Sequence, residues 1–358
     1  MSLRPTHRAV TVWLTTACVL VGVMVVVGGV TRLTGSGLSI VEWAPVRGTL
    51  PPLTHAAWEQ QLALYLQSPE GRLSQLDLPG FQQIFLVEWG HRLLGRLVGL
   101  TIILPLMAFL FTRSVPRRTA RRGLVAAVLV AMQGAMGWLM VASGLVDVPH
   151  VSTVRLAGHL LLAFALFAVL AWELLDHLAL PRVEAPARLV AASRAFIALV
   201  VVAVTSGAAM AGTRGGWLFA TFPTMNGAWV PDGVFREGPR AAIHDPLTAH
   251  FDHRLLALLV ALAAVALVVA ARGESAPLRR WVTWIAVAVT AQITLGAATV
   301  MLHMPIAIAV THQLGGLVVF ATALGLVRVA NANADADADA NANADADAKA
   351  HASAMFEG

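Results

Sequence analysis

The hydrophobic positions of this chain fall into eight long runs that polar segments separate. The runs show no alternation of apolar and polar residues, so they do not resemble the strands of a membrane β-barrel. An apolar run of about 20 residues is the length that a helix needs to cross a bilayer, and a helix satisfies its backbone hydrogen bonds internally. The pattern therefore predicts eight transmembrane helices, at about residues 9–30, 84–112, 122–145, 153–175, 190–212, 248–271, 279–302 and 304–328.

The first run has two interpretations, because basic residues precede it as they do in a signal peptide. Residues 9–30 contain no charged residue, and this stretch is longer than the apolar core of a typical signal peptide. We therefore expect an uncleaved first span.

Two long polar segments, residues 31–82 and 213–247, interrupt the runs. Structureless connections of this length are uncommon in folded proteins. The first segment is rich in Trp, Pro and Gly, and it predicts a folded cap with a short amphipathic helix near residues 54–67. The alternative is a plain loop at the membrane interface.

The composition agrees with an integral membrane protein, since 58% of the 358 residues are apolar and only 13% are charged. The formal net charge of +5 is unevenly distributed, and the short loop 113–122 alone holds five arginines. Under the positive-inside rule, this places both termini in the cytoplasm. The positive charge orients the chain in the membrane, so it does not indicate a nucleic-acid partner.

Residues in the two halves of the chain repeat at similar distances. The offset from the first half to the second is 162 residues for His91 and His253, 153 for His159 and His312, and 159 for Gln133 and Gln292. Slowly drifting offsets are typical of a duplication with insertions in the loops. They predict two pseudo-symmetric four-helix bundles, residues 1–180 and 181–329. Because four is even, both halves enter the membrane from the same side, and all four histidines lie toward the outer face.

Residues 330–358 follow the last run and alternate Ala with Asn or Asp over much of their length. This low-complexity segment has almost no apolar content to bury. We predict that it is a disordered tail.

His91, His159, His253 and His312 are candidate functional residues, because a histidine inside an apolar span is costly unless it faces a partner or a cavity. Paired histidines on facing helices of a four-helix bundle can coordinate a haem iron from both sides. The alternative for any one of them is a satisfied packing residue. Four histidines at matching depth favour two haem sites.

Several arginines stand near the outer ends of the same helices. If each iron lies near the outer face, haem propionates would point toward Arg92 and Arg254, and also toward Arg96 and Arg155. A guanidinium group pairs with a carboxylate through two hydrogen bonds. The alternative is that these side chains extend to lipid headgroups.

Glu88 lies three residues before His91 and therefore on the same helix face. A carboxylate there stands within reach of whatever His91 holds, and a pure electron carrier would not need it. The alternative is an ion pair with Arg92 or a capping role. We find no Glu at the equivalent position of the second half, which we assign to Ala249, and we leave open whether His250 joins the second site.

Ordered motifs along the chain resemble those of the haem A synthase family up to about residue 329. The motifs are Gly28 to Ser39, Trp43-x-Pro45, Gly48-x-Leu50-Pro51-Pro52, Ile84-Phe85, Glu88-Trp89-Gly90-His91-Arg92, Ser143-Gly144-Leu145-x-Asp147-x-Pro149-x-Val151-Ser152, Arg155-Leu156-Ala157-x-His159-Leu160, Phe222-Pro223-x-Met225-x-Gly227, Pro231, Phe251-x-His253-Arg254 and His312-Gln313. The only cysteine, Cys18, lies in the first span. The outer loops without cysteine are similar to the mitochondrial and alphaproteobacterial branch of the family.

The resemblance implies an enzyme that oxidises the C8 methyl group of haem O, through a hydroxymethyl intermediate, to the formyl group of haem A for cytochrome oxidase assembly. It implies that His253 and His312 ligate a resident haem b, and that His91 and His159 bracket the substrate haem. Glu88 matches the family's important acidic position. Our hypothesis is that electrons leave the methyl group, water adds to the cationic carbon, and Glu88 stabilises that carbon and orients the water.

The resemblance also implies haem O synthase and cytochrome oxidase assembly factors as partners, in the inner membrane of a bacterial cell, with the haem sites toward the periplasmic face. Membrane lipid surrounds the chain. The sequence leaves open whether the chain forms a homo-oligomer. The competing class is a di-haem b-type membrane cytochrome that only carries electrons, for which four matched histidines suffice. Glu88 and the two long outer segments favour the enzyme.

Overall fold

The computed structural model describes residues 5–44, 46–144, 151–234 and 236–330. Within these ranges the chain forms ten α-helices and no β-strand, and eight of the helices are long and apolar enough to cross a membrane. The predicted all-helical fold with eight candidate spans is confirmed. The helices are α1 (Pro5–Leu33), α2 (His55–Gln67), α3 (Leu78–Phe111), α4 (Arg117–Gly144), α5 (Thr153–His177), α6 (Ala187–Gly212), α7 (Ala241–His244), α8 (Pro246–Ala270), α9 (Ala276–Met301) and α10 (Ile306–Ala330).

Aspartate caps start the two long helices that follow the polar segments. The carboxylate of Asp77 accepts a hydrogen bond from the backbone N–H of Gly80 at 2.9 Å. The carboxylate of Asp245 accepts from the N–H groups of Leu247 at 3.3 Å and Thr248 at 2.9 Å. These bonds satisfy donors that the first turn of a helix leaves without a partner inside the helix. The caps let α3 and α8 begin ahead of their predicted apolar runs.

The first polar segment folds against the N-terminal end of α3. Trp58 and Tyr65 of α2 pack with Phe81 and Phe85 in a small apolar cluster. The ring centroids of Trp58 and Phe85 are 5.0 Å apart, and those of Tyr65 and Phe81 are 5.3 Å apart. The predicted folded cap with a short helix near residues 54–67 is confirmed.

The long helices pack in a pattern that occurs twice. In the first four, α1 and α4 each pack against α3 and α5; in the last four, α6 and α9 each pack against α8 and α10. Further contacts join α1 to α10 and α5 to α6, and these two contacts are equivalent if α1 is matched with α6 and α5 with α10. The repeated packing supports a duplication. The boundary between residues 1–180 and 181–329, and the cytoplasmic position of the termini, stay predictions.

A buried network of charged residues joins α4, α5 and α10 at the end of the molecule opposite the histidines. Glu173 accepts hydrogen bonds from Thr119 at 2.6 Å and Arg122 at 2.5 Å. Asp176 pairs with Arg122 at 2.5 Å and also with Arg328. The pair of Asp176 and Arg328 connects the first four long helices to the last.

The second half has apolar residues where the first half has this network. The counterparts of these residues in the second half lie 159 positions further on for α4 and 153 positions further on for α5. All four counterparts are apolar: Leu278 for Thr119, Trp281 for Arg122, Leu326 for Glu173 and Val329 for Asp176. Leu278, Leu326 and Val329 are fully buried. The two matched ends are therefore stabilised differently, one by ion pairs and the other by apolar packing.

Some predictions fall on other parts of the chain. Ala330, the first residue of the predicted tail, is the last residue of α10. The rest of that tail, residues 331–358, lies outside the described residues. So do Pro45 and residues 145–150, which belong to the motifs of the outer segments.

Candidate functional site

The four predicted histidines lie at one end of the bundle, on α3, α5, α8 and α10. His91 and His159 are close enough for charges on the two rings to interact. The rings of His253 and His312 lie nearly perpendicular to each other in the second half, with centroids 6.2 Å apart and planes at 84°. The structure therefore brings the histidines together in the two pairs that the sequence predicted.

Each histidine ring lies against a glycine of a neighbouring helix. A Cβ atom added to the glycine would approach Cε1 of the ring in all four cases: 3.2 Å for Gly28 and His91, 3.6 Å for Gly137 and His159, 3.0 Å for Gly207 and His253, and 2.9 Å for Gly296 and His312. The missing side chain leaves room for the imidazole beside the backbone. Sequence reasoning missed these contacts, because the two residues of each contact lie on different helices. The signal that could have found them is the constant offset within each matched helix pair.

In the second half, hydrogen bonds fix the orientation of both rings. Nδ1 of His253 lies 3.0 Å from Oγ of Ser206, whose hydroxyl donates to the carbonyl of Ala203. The Ser206 oxygen therefore accepts the ring proton. Nδ1 of His312 lies 3.1 Å from the carbonyl oxygen of Gln292. With the proton held on Nδ1, Nε2 of each ring is left to bind a metal, as histidine ligands ordinarily do.

In the first half, neither ring has such a bond. Nδ1 of His91 and Nδ1 of His159 are buried without a hydrogen-bond partner among the residues that the structure describes. The offset of 179 between Gly28 and Gly207 matches Ser206 with Val27, whose side chain cannot accept a hydrogen bond. The first pair is thus held less firmly than the second.

Glu88 lies on α3 one turn before His91 and is only 2% exposed. Its Oε2 accepts hydrogen bonds from Oγ of Ser39 at 2.7 Å and from the backbone N–H of Ile40 at 2.8 Å. Its Oε1 forms an ion pair with Arg92 at 2.5 Å. The ion pair that was the alternative interpretation is present, and the same carboxylate also ties the outer segment to α3.

The assignment of Ala249 as the counterpart of Glu88 is wrong. The offset of 162 that relates His91 to His253 relates Glu88 to His250. His250 is 1% exposed, so a buried polar residue stands at this position in both halves. The two halves still differ at this position, because the first half has a carboxylate there and the second half has an imidazole.

His250 uses both ring nitrogens inside the protein. Nδ1 lies 2.9 Å from the carbonyl oxygen of Gly215, and Nε2 accepts a hydrogen bond from Nε of Arg254 at 2.8 Å. The imidazole has no nitrogen left for a metal. His250 therefore supports Arg254 in the way that Glu88 supports Arg92.

Arg92 and Arg254 fasten the two outer segments over the histidine pairs. Both guanidinium groups donate to backbone carbonyls of these segments: Ile40 at 2.8 Å and Glu42 at 3.2 Å for Arg92, and Thr224 at 3.1 Å and Phe219 at 3.3 Å for Arg254. Arg96 and Arg155 likewise donate to carbonyls, those of Ala44 and Leu139. A role of Arg92 and Arg254 in binding propionates stays a prediction.

The geometry of the second pair fits haem. Two metal–nitrogen bonds of about 2 Å each, together with the half-width of each imidazole, span about the 6.2 Å that separates the rings of His253 and His312. Within the described ranges no three His, Cys, Asp or Glu residues cluster to hold a bare metal ion. A porphyrin supplies the other ligands of its iron, so two histidines suffice.

The fold and the site define an all-helical, multi-pass membrane protein with two histidine pairs under folded outer segments. Residues 11–324 match the family model described as cytochrome oxidase assembly protein. The chain belongs to the haem A synthase family. Its assignment to the mitochondrial and alphaproteobacterial branch stays a prediction.

Relatives named Heme A synthase match nearly the whole chain. One from Parvibaculum lavamentivorans is 42% identical over 322 residues, which are 89% of this chain and 93% of the relative. One from Rhodopseudomonas palustris is 44% identical over 319 residues, 87% of this chain and 86% of the relative. One from Nitrosospira multiformis is 41% identical over 328 residues, 89% of this chain and 92% of the relative.

Proposed function

We propose that this chain performs haem A synthesis: it oxidises the C8 methyl group of haem O, through a hydroxymethyl group, to the formyl group of haem A for cytochrome oxidase assembly. The observation that carries the proposal is the difference between the two histidine pairs. One pair has ring nitrogens fixed by hydrogen bonds, and the other has a buried carboxylate one turn away. Membership of the family supports the same reaction.

The second half binds the resident cofactor, haem b, through His253 and His312. Ser206 and the carbonyl of Gln292 hold the protons of the two rings, which is the arrangement that strengthens a histidine ligand and fixes its orientation. A resident haem of this type supplies one-electron redox chemistry when it is bound. Residues 181–329 form this half.

The first half, residues 1–180, binds the substrate haem between His91 and His159. Rings without an Nδ1 partner are weaker and less fixed ligands than the second pair. This suits a ligand that must arrive as haem O and leave as haem A. The ring of His91 also lies against Gly28, where the missing side chain leaves room for the imidazole.

Glu88 is the catalytic residue. Each of the two oxidations removes two electrons and one proton from the substrate carbon, so positive charge develops on that carbon, and the water that adds to it releases a second proton. A carboxylate one turn from His91 stabilises this charge and orients the attacking water. Arg92, Ser39 and Ile40 hold the carboxylate in one position, so it does not have to reorganise during the reaction.

The surroundings follow from the charge pattern. The five arginines of the loop 113–122 support an inner-membrane protein with cytoplasmic termini and with the histidine pairs toward the periplasmic face. Arg92 and Arg254, which hold the outer segments, are the residues nearest in sequence to His91 and His253 for contact with propionates. Haem O synthase and cytochrome oxidase assembly factors are the expected partners, and a homo-oligomer is compatible with the exposed apolar helices.

The second candidate is a di-haem b-type membrane cytochrome that carries electrons only. The matched histidine pairs favour it as much as they favour the enzyme. Glu88 does not, since an electron carrier has no use for a carboxylate beside only one of its two haems.

Analysis of cellular haems tests the reaction. Haems are extracted from cells with and without this chain and identified by mass. We expect haem A only in cells that contain the chain, and haem O in its place when the chain is removed. If haem O does not accumulate without the chain, the proposed reaction is wrong.

A Glu88→Gln variant tests the catalytic residue. Gln keeps an oxygen for Ser39 and Ile40 but lacks the negative charge that stabilises the reacting carbon. We expect normal protein yield and haem content, with conversion halted at haem O or the hydroxymethyl product, as measured by mass. A Ser39→Ala variant, which removes only one donor to the carboxylate, is the matched control and should convert more substrate. Normal haem A production by Glu88→Gln would exclude the role.

A further inference from the structure

Two further arginines lie at the matching ends of α1 and α6. Arg32 is in the last turn of α1, and Arg214 follows α6 at the matching end. Among the residues that the structure describes, the side chain of neither forms a hydrogen bond or an ion pair. Arg92 and Arg254 differ in this respect, since both of their terminal nitrogens donate to carbonyls of the polar segments.

Arg32 stands directly above the substrate side of the bundle. It follows Gly28 by four residues, so the two share a face of α1 one turn apart. Gly28 is the residue against which the His91 ring lies. Side chains of a helix lean toward its N-terminus, which for Arg32 is the direction of His91. The half-buried guanidinium is therefore set over the first histidine pair.

Arg214 occupies a backbone position that ordinarily belongs to glycine. Its φ is 58°, in the left-handed region, at the start of the short 3₁₀ helix Gly215–Trp217. The same offset of 179 that relates Gly28 to Gly207 relates Gly35 to Arg214, and Gly35 has a φ of 68° at the start of the 3₁₀ helix Ser36–Leu38. A residue with a side chain is strained in this conformation. Strain retained where the matched position has glycine indicates a use for the side chain.

The two arginines lie close enough for their positive charges to repel each other. Glu70, in the outer segment between α2 and α3, is near both Arg214 and Glu88. Burial raises the pKa of its carboxyl, Arg214 lowers it and Glu88 raises it. No ion pair joins Glu70 to either arginine within the described ranges, so the repulsion is not cancelled by a protein carboxylate in contact. Such a pair is favourable when an anion lies between the two groups.

We propose that Arg32 and Arg214 form a carboxylate-binding pair between the outer ends of α1 and α6, and that this pair receives a propionate group of the haem substrate beside His91, in addition to the contact proposed for Arg92. The inference rests on the proposed function, because it takes the first histidine pair as the substrate site. The pair joins one residue of each half, so substrate binding draws on both halves of the chain. It also holds the porphyrin by its polar edge and leaves the methyl group to be aligned with Glu88.

Comparison of two porphyrins tests the pair. The full chain, purified in detergent with its resident haem, is titrated with ferric protoporphyrin IX and with its dimethyl ester, which lacks the carboxylates. Binding is followed by absorption. We expect the wild-type chain to bind the diacid about tenfold or more tightly than the ester, since hydrogen bonds between charged groups are the strong ones.

The variants are Arg32→Gln and Arg214→Gly. Each should lower the affinity for the diacid and leave that for the ester unchanged. Arg214→Gly introduces the residue that suits the backbone, so it should fold at least as well as the wild type, and its unfolding midpoint checks this. Arg240→Gln, at an exposed arginine of the second outer segment, is the matched control and should keep the preference.

Equal affinity of the wild type for the two porphyrins would overturn the inference, as would an unchanged preference in both variants. Loss of bound anionic phospholipid without a change in the porphyrin preference would also overturn it, and would assign the pair to a lipid phosphate. The cellular haem analysis tests the reaction separately. A chain that makes haem A but does not distinguish the diacid from the ester contradicts only this inference.

Discussion

At the scale of single residues, His91 and His253 differ in the side chain that stands beside the ring. Ser206 gives the His253 ring an acceptor, and its counterpart Val27 gives His91 none. The Ser206 hydroxyl donates its own proton to the carbonyl of Ala203 within the helix, so its oxygen is free to accept the proton of the His253 ring. The presence of Ser206 at one position and Val27 at its counterpart therefore gives one of the two matched rings an acceptor that the other lacks.

Replacement of Ser206 by valine, the residue at its matched position, should weaken the second site. Ser206→Val removes the acceptor for the proton of His253, and loss of such a bond lowers metal-site affinity by about tenfold or more. We expect less haem per protein after purification and a higher midpoint potential for the haem that remains, because the ligand donates less strongly. Thr205→Val, which affects a hydroxyl bonded within its own helix, should change neither. An unaltered haem content and potential in Ser206→Val would count against the resident role of this pair.

Part of the site was predictable from the sequence at this scale. The histidines and Glu88 stand out because an ionisable residue in an apolar run needs a reason. The partners of Arg92 and Arg254 were not predictable, because they are backbone carbonyls of irregular segments, whose positions no pattern of side chains encodes. His250 was within reach of the sequence, since the offset between the histidines already identifies it as the counterpart of Glu88.

At the scale of helices, four contacts between a glycine and a histidine set the distance between neighbouring helices near the sites. The tightest are Gly207 with His253 and Gly296 with His312, both in the half that we assign to the resident haem. The contact of Gly137 with His159 is looser. The sequence predicted which segments are helices, because that depends on runs of apolar residues, but not which faces meet.

Alanine at these glycines should affect the two halves unequally. In Gly296→Ala the new methyl group would lie 2.9 Å from Cε1 of His312, so the ring must shift, at a cost of about 1–3 kcal/mol. In Gly137→Ala the corresponding 3.6 Å to His159 is an ordinary contact, and little change is expected. Gly134→Ala, which meets no neighbour within 4 Å, is the control. The measurements are haem content and unfolding midpoint, and equal effects of Gly296→Ala and Gly134→Ala would contradict the prediction.

At the scale of the whole molecule, the two ends of the bundle are built on different principles. The end with the histidines keeps matched residues in both halves, with glycines, glutamines and arginines at an offset that is characteristic of each matched helix pair. The opposite end does not, since Glu173 and Asp176 are replaced by Leu326 and Val329 in the second half. The eight helices and the repeat were predicted. The charged network was not, because its residues come from three helices and are unremarkable within each.

Removal of Arg328 should destabilise the chain. Asp176 would lose its partner on α10 but keep Arg122, so we expect Arg328→Leu to cost about 3 kcal/mol, the lower end for a broken buried pair. The unfolding midpoint in detergent measures this. The double variant Arg328→Leu with Asp176→Val, which copies the apolar residues of the matched positions, should recover part of the loss. A single variant as stable as the wild type would show that the pair contributes nothing.

The link between Asp176 and Arg328 also has a consequence for biosynthesis. The two residues are 152 positions apart, and Arg328 belongs to α10, which the ribosome makes after the other nine described helices. Among the described residues, the other partners of Asp176 are arginines of α4, so the end of α5 stays incomplete until α10 is inserted. The first half of the protein is made first, yet its charged end is completed last, so an interrupted chain carries a defect in a part that was already synthesised.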